Sequence, residues 1–490
     1  MSGLIDIHGN PLRATVNYEG ATKSPRSVNW SASSDGPNRA LKTAGASLRN
    51  RARAGYRNSL LLRSAINKNT TNEVGKGFTI MSLCKDDDFS KSANDLWKIV
   101  STELDPWGGL NFGGIVNLAV KSRRMSGECF IVRLPRPISS KLTVPVQVEL
   151  YEADMCPVSF YKRLSANRVI KQGIEFSGKH KVAYWFYRVH PNDDDDKVSL
   201  NRLYRVPARD VIHHYHPNRP GQIRSEPETS AALLKDRTFS EYDDAELTRK
   251  KERSAFTGFL YREQFGEDWE FDPQTGIPLF DDSAPAETVQ QVRSGTILRG
   301  VAGEKLDLFD GDDTGQGYKD FVRWQGLQIS AGLDIPYPLL TGDWEGLNDR
   351  LVRAFLNEYR RGISFDQTNL SGFQVVFGIW RWVINAAITT GKLDAANYEQ
   401  NPHYYLALDI RPDAFKHLHP VQDIDARNKA VSNNISNAES EAAEYGRDLD
   451  DNMRRNAKAR KRWEQICKEE GIEPGNLAGL FSAQETTGAE

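Results

Sequence analysis

Apolar residues recur at helical spacing on both sides of a proline- and glycine-rich turn near residue 340. Over residues 318–333 (YKDFVRWQGLQISAGL) they fall on two faces. Phe321, Trp324, Gln328 and Ala331 share one, and Val322, Gly326, Ile329 and Leu333 share the other. After the turn, Leu347, Leu351, Val352, Phe355, Leu356 and Tyr359 form a single stripe. Gly332 suits a helix C-cap, Pro336 and Pro338 stop re-entry, and Asn348 suits a new N-cap. One reading is a helix hairpin inside a core. A helix with two apolar faces, however, asks for partners on two sides, which points to a bundle or a packed ring.

Upstream, residues 60–82 predict a helix, a turn and a strand, and residues 96–106 a second helix. Residues 107–135 (WGGLNFGGIVNLAVKSRRMSGECFIVRLP) predict a glycine-rich turn, a helix and a strand. From 145 to 216 the pattern becomes β-rich, with Gly173 and Gly178 at turn positions. A long helical stretch follows from 228 to about 262, its middle (DDAELTRKKERS) dense in charge. Residues 286–293 predict a short helix and residues 295–313 a β-like piece. The chain after Pro420 reads as charged helix, and beyond Gly475 as disordered.

The length of 490 residues suffices for several packed cores, roughly three at about 150 residues each. Lys and Arg number 64 against 66 Asp and Glu, a net charge of −2. A protein that grips duplex DNA shows a basic excess, because its affinity comes from neutralised phosphates. Charge is uneven, however. Ten basic residues up to Arg63 face only Asp6, Glu19 and Asp35, so the N-terminal stretch predicts a basic arm, solvated or packed between subunits. Residues 265–283 hold Glu267, Asp268, Glu270, Asp272, Asp281 and Asp282 without one Lys or Arg. Cys84, Cys129, Cys156 and Cys467 lack CxxC spacing and read as free thiols of a reducing compartment. The start MSGLIDIHGNPLR has neither a basic nor an apolar signal region. Residues 373–391 are interrupted by Gln374, Arg381 and Asn385, which predicts a buried helix and not a membrane span.

Three motifs invite chemistry. Gly108-Gly109 and Gly113-Gly114 suggest a phosphate loop, but no Lys-Ser/Thr follows and no clear strand precedes. The run Asp193–Asp196 lacks the spacing that wraps an ion and reads as a loop tip. His213, His214 and His216 offer strand-end hydrogen bonds or, with Asp210 and the aspartate run, a metal-dependent nuclease or phosphoesterase. Two-metal hydrolysis needs ions about 4 Å apart and hence two ligand clusters, and the sequence offers one. No cofactor and no resident metal is expected.

Four blocks in order resemble the lambda-like phage portal proteins. They are residues 104–134, residues 210–247 with RPGQIR, the 317–361 hinge region, and residues 419–448. Ser225 stands where that pattern has Gly, and Gly346-Leu347-Asn348-Asp349 replaces the usual Asn-Tyr-Ser-Ser. The resemblance implies an α+β portal fold, not an enzyme, closed into a ring of about twelve subunits, a dodecamer, at one capsid vertex. Double-stranded DNA would pass through it in packaging and ejection. The terminase large subunit, head-completion or connector proteins, and the major capsid and scaffold proteins would dock on it, in the host cytoplasm and then the virion.

The resemblance also divides the chain. Residues 1–50 would be a flexible basic arm, 51–264 an α+β wing, and 265–335 stem and clip. Residues 336–362 would be tunnel loop and tunnel helix, 363–415 the return to the wing, 416–475 a helical crown and 476–490 a disordered tail. Ile335, Pro336, Tyr337, Pro338, Leu339 and Leu340 would line the channel, with Thr341, Gly342, Asp343, Trp344 and Glu345. Phe321, Val322, Trp324, Ile329 and Leu333 would pack the stem, and Arg299, Glu304, Lys305, Asp307 and Asp310 would meet the motor. The descending stem helix would lie within 265–315, whose acids would let DNA slide.

Overall fold

The computed structural model describes residues 33–193, 202–255, 259–262, 273–275, 304–307, 315–415, 419–445 and 447–471. The chain is helical from α1 (Pro37–Asn58), earlier than the flexible arm of the sequence reading allows. Leu41 and Ala52 bury along one face, and Arg49 and Arg53 on that side bind Asp154. Too few apolar residues mark this helix for periodicity to reveal it. Its partners are carboxylates more than 100 residues away.

Helix α2 (Leu60–Val74) begins at Ser59, whose hydroxyl accepts from the Leu62 amide, and ends at Gly75 in positive φ. Strand β1 (Thr79–Ser82) leads to α3 (Asp87–Val100), capped by Asp86, and then to α4 (Phe112–Ser126), capped by Asn111. The Asp105 carboxylate accepts from the amides of Trp107, Gly109 and Leu110 at 2.8–3.1 Å. A carboxylate already fills that glycine-rich turn.

The β-rich stretch folds as two antiparallel sheets. Strands β2 (Glu128–Pro135), β3 (Val146–Glu152) and β9 (Val211–Tyr215) make a three-stranded sheet with β2 central. The second sheet runs in order through β4 (Lys162–Arg163), β5 (Arg168–Lys171), β6 (Ile174–Ser177), β7 (His180–Phe186) and β8 (Tyr204–Pro207). Phe130, Tyr184, Phe186 and Val211 pack the two together. The other face of β2 and β3 joins α3 and α4 in the largest core.

Helix α5 (Leu233–Ala255) is followed by the paired strands β10 (Phe259–Arg262) and β11 (Glu304–Asp307), and the chain returns in α6 (Gly315–Gly332). Tyr242 meets Phe321 at 4.8 Å between ring centroids, and Ala232 lies beside Gly332, so α5 and α6 run antiparallel. The partner of α6 thus comes from within the span expected as wing. The charged middle of α5 concealed this in the sequence.

The turn after α6 also differs from expectation. The residue in positive φ is Asp334, not Gly332, which lies against Ala232. Pro336 and Pro338 do not merely block a helix. They start a short one, α7 (Tyr337–Thr341), since proline costs nothing in a first turn. Asn348 caps α8 (Asp349–Phe365) as expected, accepting from the Leu351 amide at 2.9 Å.

Helix α8 runs without a break through a π-helical segment, Asp366–Val376, into α9 (Phe377–Thr389). Trp380, Val383 and Ile384 of α9 are buried in the largest core. Helix α10 (Pro402–Leu406) and strand β12 (Leu408–Arg411), paired with β1, close this part. Three further helices follow: α11 (Pro420–Ser432), α12 (Ala438–Glu444) and α13 (Leu449–Glu470). Among the described residues no helix is long and apolar enough to cross a membrane.

Candidate functional site

The two faces of α6 have different fates. Ile329 and Leu333 are fully enclosed with Leu62, Ala232, Tyr359 and Ile363, and Val322 is half-buried. On the other face Phe321 is 40% exposed and Trp324 59%, with Leu327 beside them at 39%. One stripe is satisfied within the chain, and the other only at Phe321, where Tyr242 covers part of the ring. The single stripe of helix α8 divides along its length: Tyr359 and Ile363 bury, while Leu351 and Phe355, nearer its start, stay 43% and 45% exposed.

The eleven residues expected to line a channel are split by the same packing. Ile335 and Leu340 are buried beside Ile329 and Leu333, which removes these two from any lining surface in this arrangement. Their burial anchors the hinge. Ser64 donates to the Leu340 carbonyl at 2.9 Å, and Lys68 to that of Leu339. Pro336, Tyr337, Pro338, Leu339 and Asp343 are half-buried, and Thr341, Gly342, Trp344 and Glu345 are exposed. Lys319 holds Glu345 at 2.7 Å, tethering the tip to α6. Of the motor-facing candidates, Glu304, Lys305 and Asp307 lie on β11, while Arg299 and Asp310 lie outside the described residues. So does the acidic 265–283 stretch, apart from residues 273–275.

Beneath the hinge lies a charge cluster that periodicity does not reveal. Arg123 and Arg124 of α4 bind Glu73 of α2, Glu228, and Asp366 at the start of the π-helical segment. Arg123 reaches Glu73 at 2.7 Å, and Arg124 reaches Asp366 at 2.9 Å. Burial pushes the Glu73 carboxyl upward, but the two guanidinium groups and the Ser371 hydroxyl outweigh it and hold the pKa at about 2. Asp366 is shifted upward, by burial and by the neighbouring carboxylates. Gln367 donates to the Glu73 carbonyl at 3.0 Å. The cluster therefore fastens α2, α4 and the α8–α9 helix to one another.

The histidines occupy opposite sides of β9. His213 stacks between Phe130 and Tyr215, at 4.5 and 4.1 Å between ring centroids. Its Nε2 lies 2.9 Å from Glu128, which Arg224 of the RPGQIR block also holds. His214 Nδ1 lies 2.9 Å from Gln374 of the π-helical segment, and His216 sits beyond the strand near Phe365. Among the described residues the one group able to surround an ion is Glu152, Asp154 and His190, whose carboxylates Arg49 and Arg53 already bind. Asp194–Asp196 lie outside the described residues. The geometry gives the hydrolase reading no ligand set at β9.

Burial drives both histidines neutral, His213 to about 4 against Glu128's opposing pull, and His214 to about 3. The unfolded chain, with histidines near 6.5, binds more protons than the native one below that pH. Stability should therefore fall as pH drops from about 6.5, by up to about 1.4 kcal/mol per histidine per pH unit. The loss continues to about pH 4 for His213 and about 3 for His214. Melting temperature against pH checks this: a flat profile between pH 7 and 5 would contradict it, and His213→Gln should flatten part of the slope.

A family model described as phage portal protein, lambda family, matches residues 23–367, and the chain belongs to that family. It is 23% identical over 271 residues to the probable portal protein of Halomonas phage phiHAP-1 (isolate -/Gulf of Mexico/-/2001), covering 53% of this chain and 51% of that protein. The chain thus spans about half the length of this curated relative in the match. Two solved structures are also matched. The virion of the native gene transfer agent particle gives a TM-score of 0.43 at 9% identity, covering 82% of this chain and 93% of that one. The neck of the native particle, computed with C12 symmetry, gives 0.43 at 10%, covering 83% and 94%.

Proposed function

We infer that this chain assembles into a closed ring of about twelve copies with heterologous contacts, set at one vertex of a phage capsid. Double-stranded DNA passes through its centre in packaging and ejection. The observation that carries the reading is the open stripe on α6, Phe321, Trp324 and Leu327. Large apolar side chains grouped on one exposed helix face mark a surface that another chain covers. In a ring this open face of α6 meets a neighbouring copy, while the other apolar face is covered within the chain.

In this arrangement Thr341, Gly342, Trp344 and Glu345 reach toward the channel, and the β10–β11 pair at the far end of α5 and α6 is where the terminase motor and connector proteins dock. The body of two sheets is the wing, and α11–α13 form the crown, facing the capsid interior with its major capsid and scaffold proteins. The virion is the protein's destination, and host cytoplasm its place of assembly.

Native mass measurement with negative-stain imaging of the purified chain tests this. Closed rings near twelvefold symmetry with an open centre are expected. A monomer that stays monodisperse at tens of micromolar, with or without scaffold protein, would overturn the ring.

A further inference from the structure

We propose that a groove between α1 and the five-stranded sheet binds an acidic peptide segment of a partner protein, with an apolar residue on its floor and a backbone N–H on Gln172. The groove encloses about 580 Å³, a volume that takes a few side chains and not a duplex. Its rim is basic on both walls: Arg39 and Lys42 come from α1, Lys171 and Lys179 from the sheet, and all four are exposed. Its floor is apolar, with Val158, Phe176 and Ile223, and Tyr161 stands 61% exposed at its mouth. An apolar centre with a charged rim is the composition of a protein-binding surface. In a chain of net charge −2 the excess of cations here is local.

The groove is preformed. Asn38 joins its walls, donating to the Gly221 carbonyl at 2.9 Å and accepting from the Ile223 amide at 2.9 Å. Gln172 is held in positive φ, a conformation that non-glycine residues rarely adopt. Its Nε2 donates to the Asn38 carbonyl at 2.6 Å, which fixes the amide orientation. The Gln172 Oε1 is then left buried with no hydrogen-bond partner in a residue only 7% exposed. A buried acceptor without a donor is costly, and an N–H brought by a ligand removes that cost. A peptide backbone supplies such a donor, and a phosphodiester backbone has none. With a volume too small for a duplex, this selects a peptide over DNA gripped by its phosphates. The inference does not depend on the ring.

The test is fluorescence anisotropy on the full chain. The probe is a labelled twelve-residue peptide of alternating Glu and Ser with a central Leu-Leu pair. Binding should weaken about tenfold in the double variant Lys171→Glu, Lys179→Glu, and as much in Lys42→Glu, all exposed changes that leave the fold intact. A probe N-methylated at the central leucines, which loses its donors but keeps its charge, should bind about tenfold more weakly to the unaltered protein. Three results overturn the proposal. The first is no binding at millimolar peptide, or binding indifferent to the charge reversals. The second is equal binding of the N-methylated probe. The third is displacement of the peptide by a 20-base-pair duplex that binds more tightly and depends on the same lysines.

Discussion

Glu73→Gln is expected to be the most destabilising conservative substitution in the chain, by about 3–5 kcal/mol, the range found when one partner of a buried ion pair is removed. Gln preserves the volume and can still accept from Ser371, so packing is nearly untouched. What disappears is the charge facing Arg123 and Arg124, both almost fully enclosed. Glu228 and Asp366 remain, but they lie at the partly open edge of the cluster, 29% and 16% exposed, and compensate only in part. Chemical denaturation followed by circular dichroism measures the effect. A loss below about 1 kcal/mol would mean that water or a neighbouring carboxylate already neutralises the two arginines. Because Asp366 begins the π-helical segment and Ser371 lies within it, the same variant should also loosen α8 against α4. Amide exchange across residues 349–376 should then rise more than across α3.

Trp324→Glu should do the reverse, leaving the monomer nearly unchanged while abolishing assembly. The side chain is 59% exposed within the chain, and surface substitutions of that kind change folding stability by about 0.5 kcal/mol or less. At the centre of an interface, a buried tryptophan can account for about 2–4 kcal/mol, and here a carboxylate would be buried in its place. In a closed ring the penalty recurs at every contact, so native mass spectra should show monomer where the unaltered chain shows rings. Ile329→Asp is the control, since Ile329 is fully buried on the opposite stripe of the same helix. It should unfold the chain outright. Rings formed by the Trp324→Glu protein would show that the open stripe is not the contact surface.

The contrast between these substitutions shows how far the sequence could be read. Periodicity revealed both stripes of α6, and Asn348 announced the start of α8. Nothing in the periodicity told which stripe the chain itself would cover, because that depends on where α2 and α5 come to lie. The hinge was placed correctly in sequence, yet Ile335 and Leu340 turned inward, since their side chains complete a core that reaches back to Leu62, 278 residues from Leu340. The long helix from 228 was expected, but its pairing with α6 was not, because charged residues carry no register signal at a distance.

By itself, the sequence determined the class of most elements, α1 and α7 excepted, the α+β character and the family, because these follow from local spacing and from the order of motifs along the chain. The tertiary structure alone decided which apolar face remained open, where Arg123 and Arg124 found their carboxylates, and that His213 and His214 are buried on opposite sides of one strand. Each of these is a meeting between residues far apart in sequence. Burial and charge pairing act through space, and their energies are set by the neighbours that folding brings together.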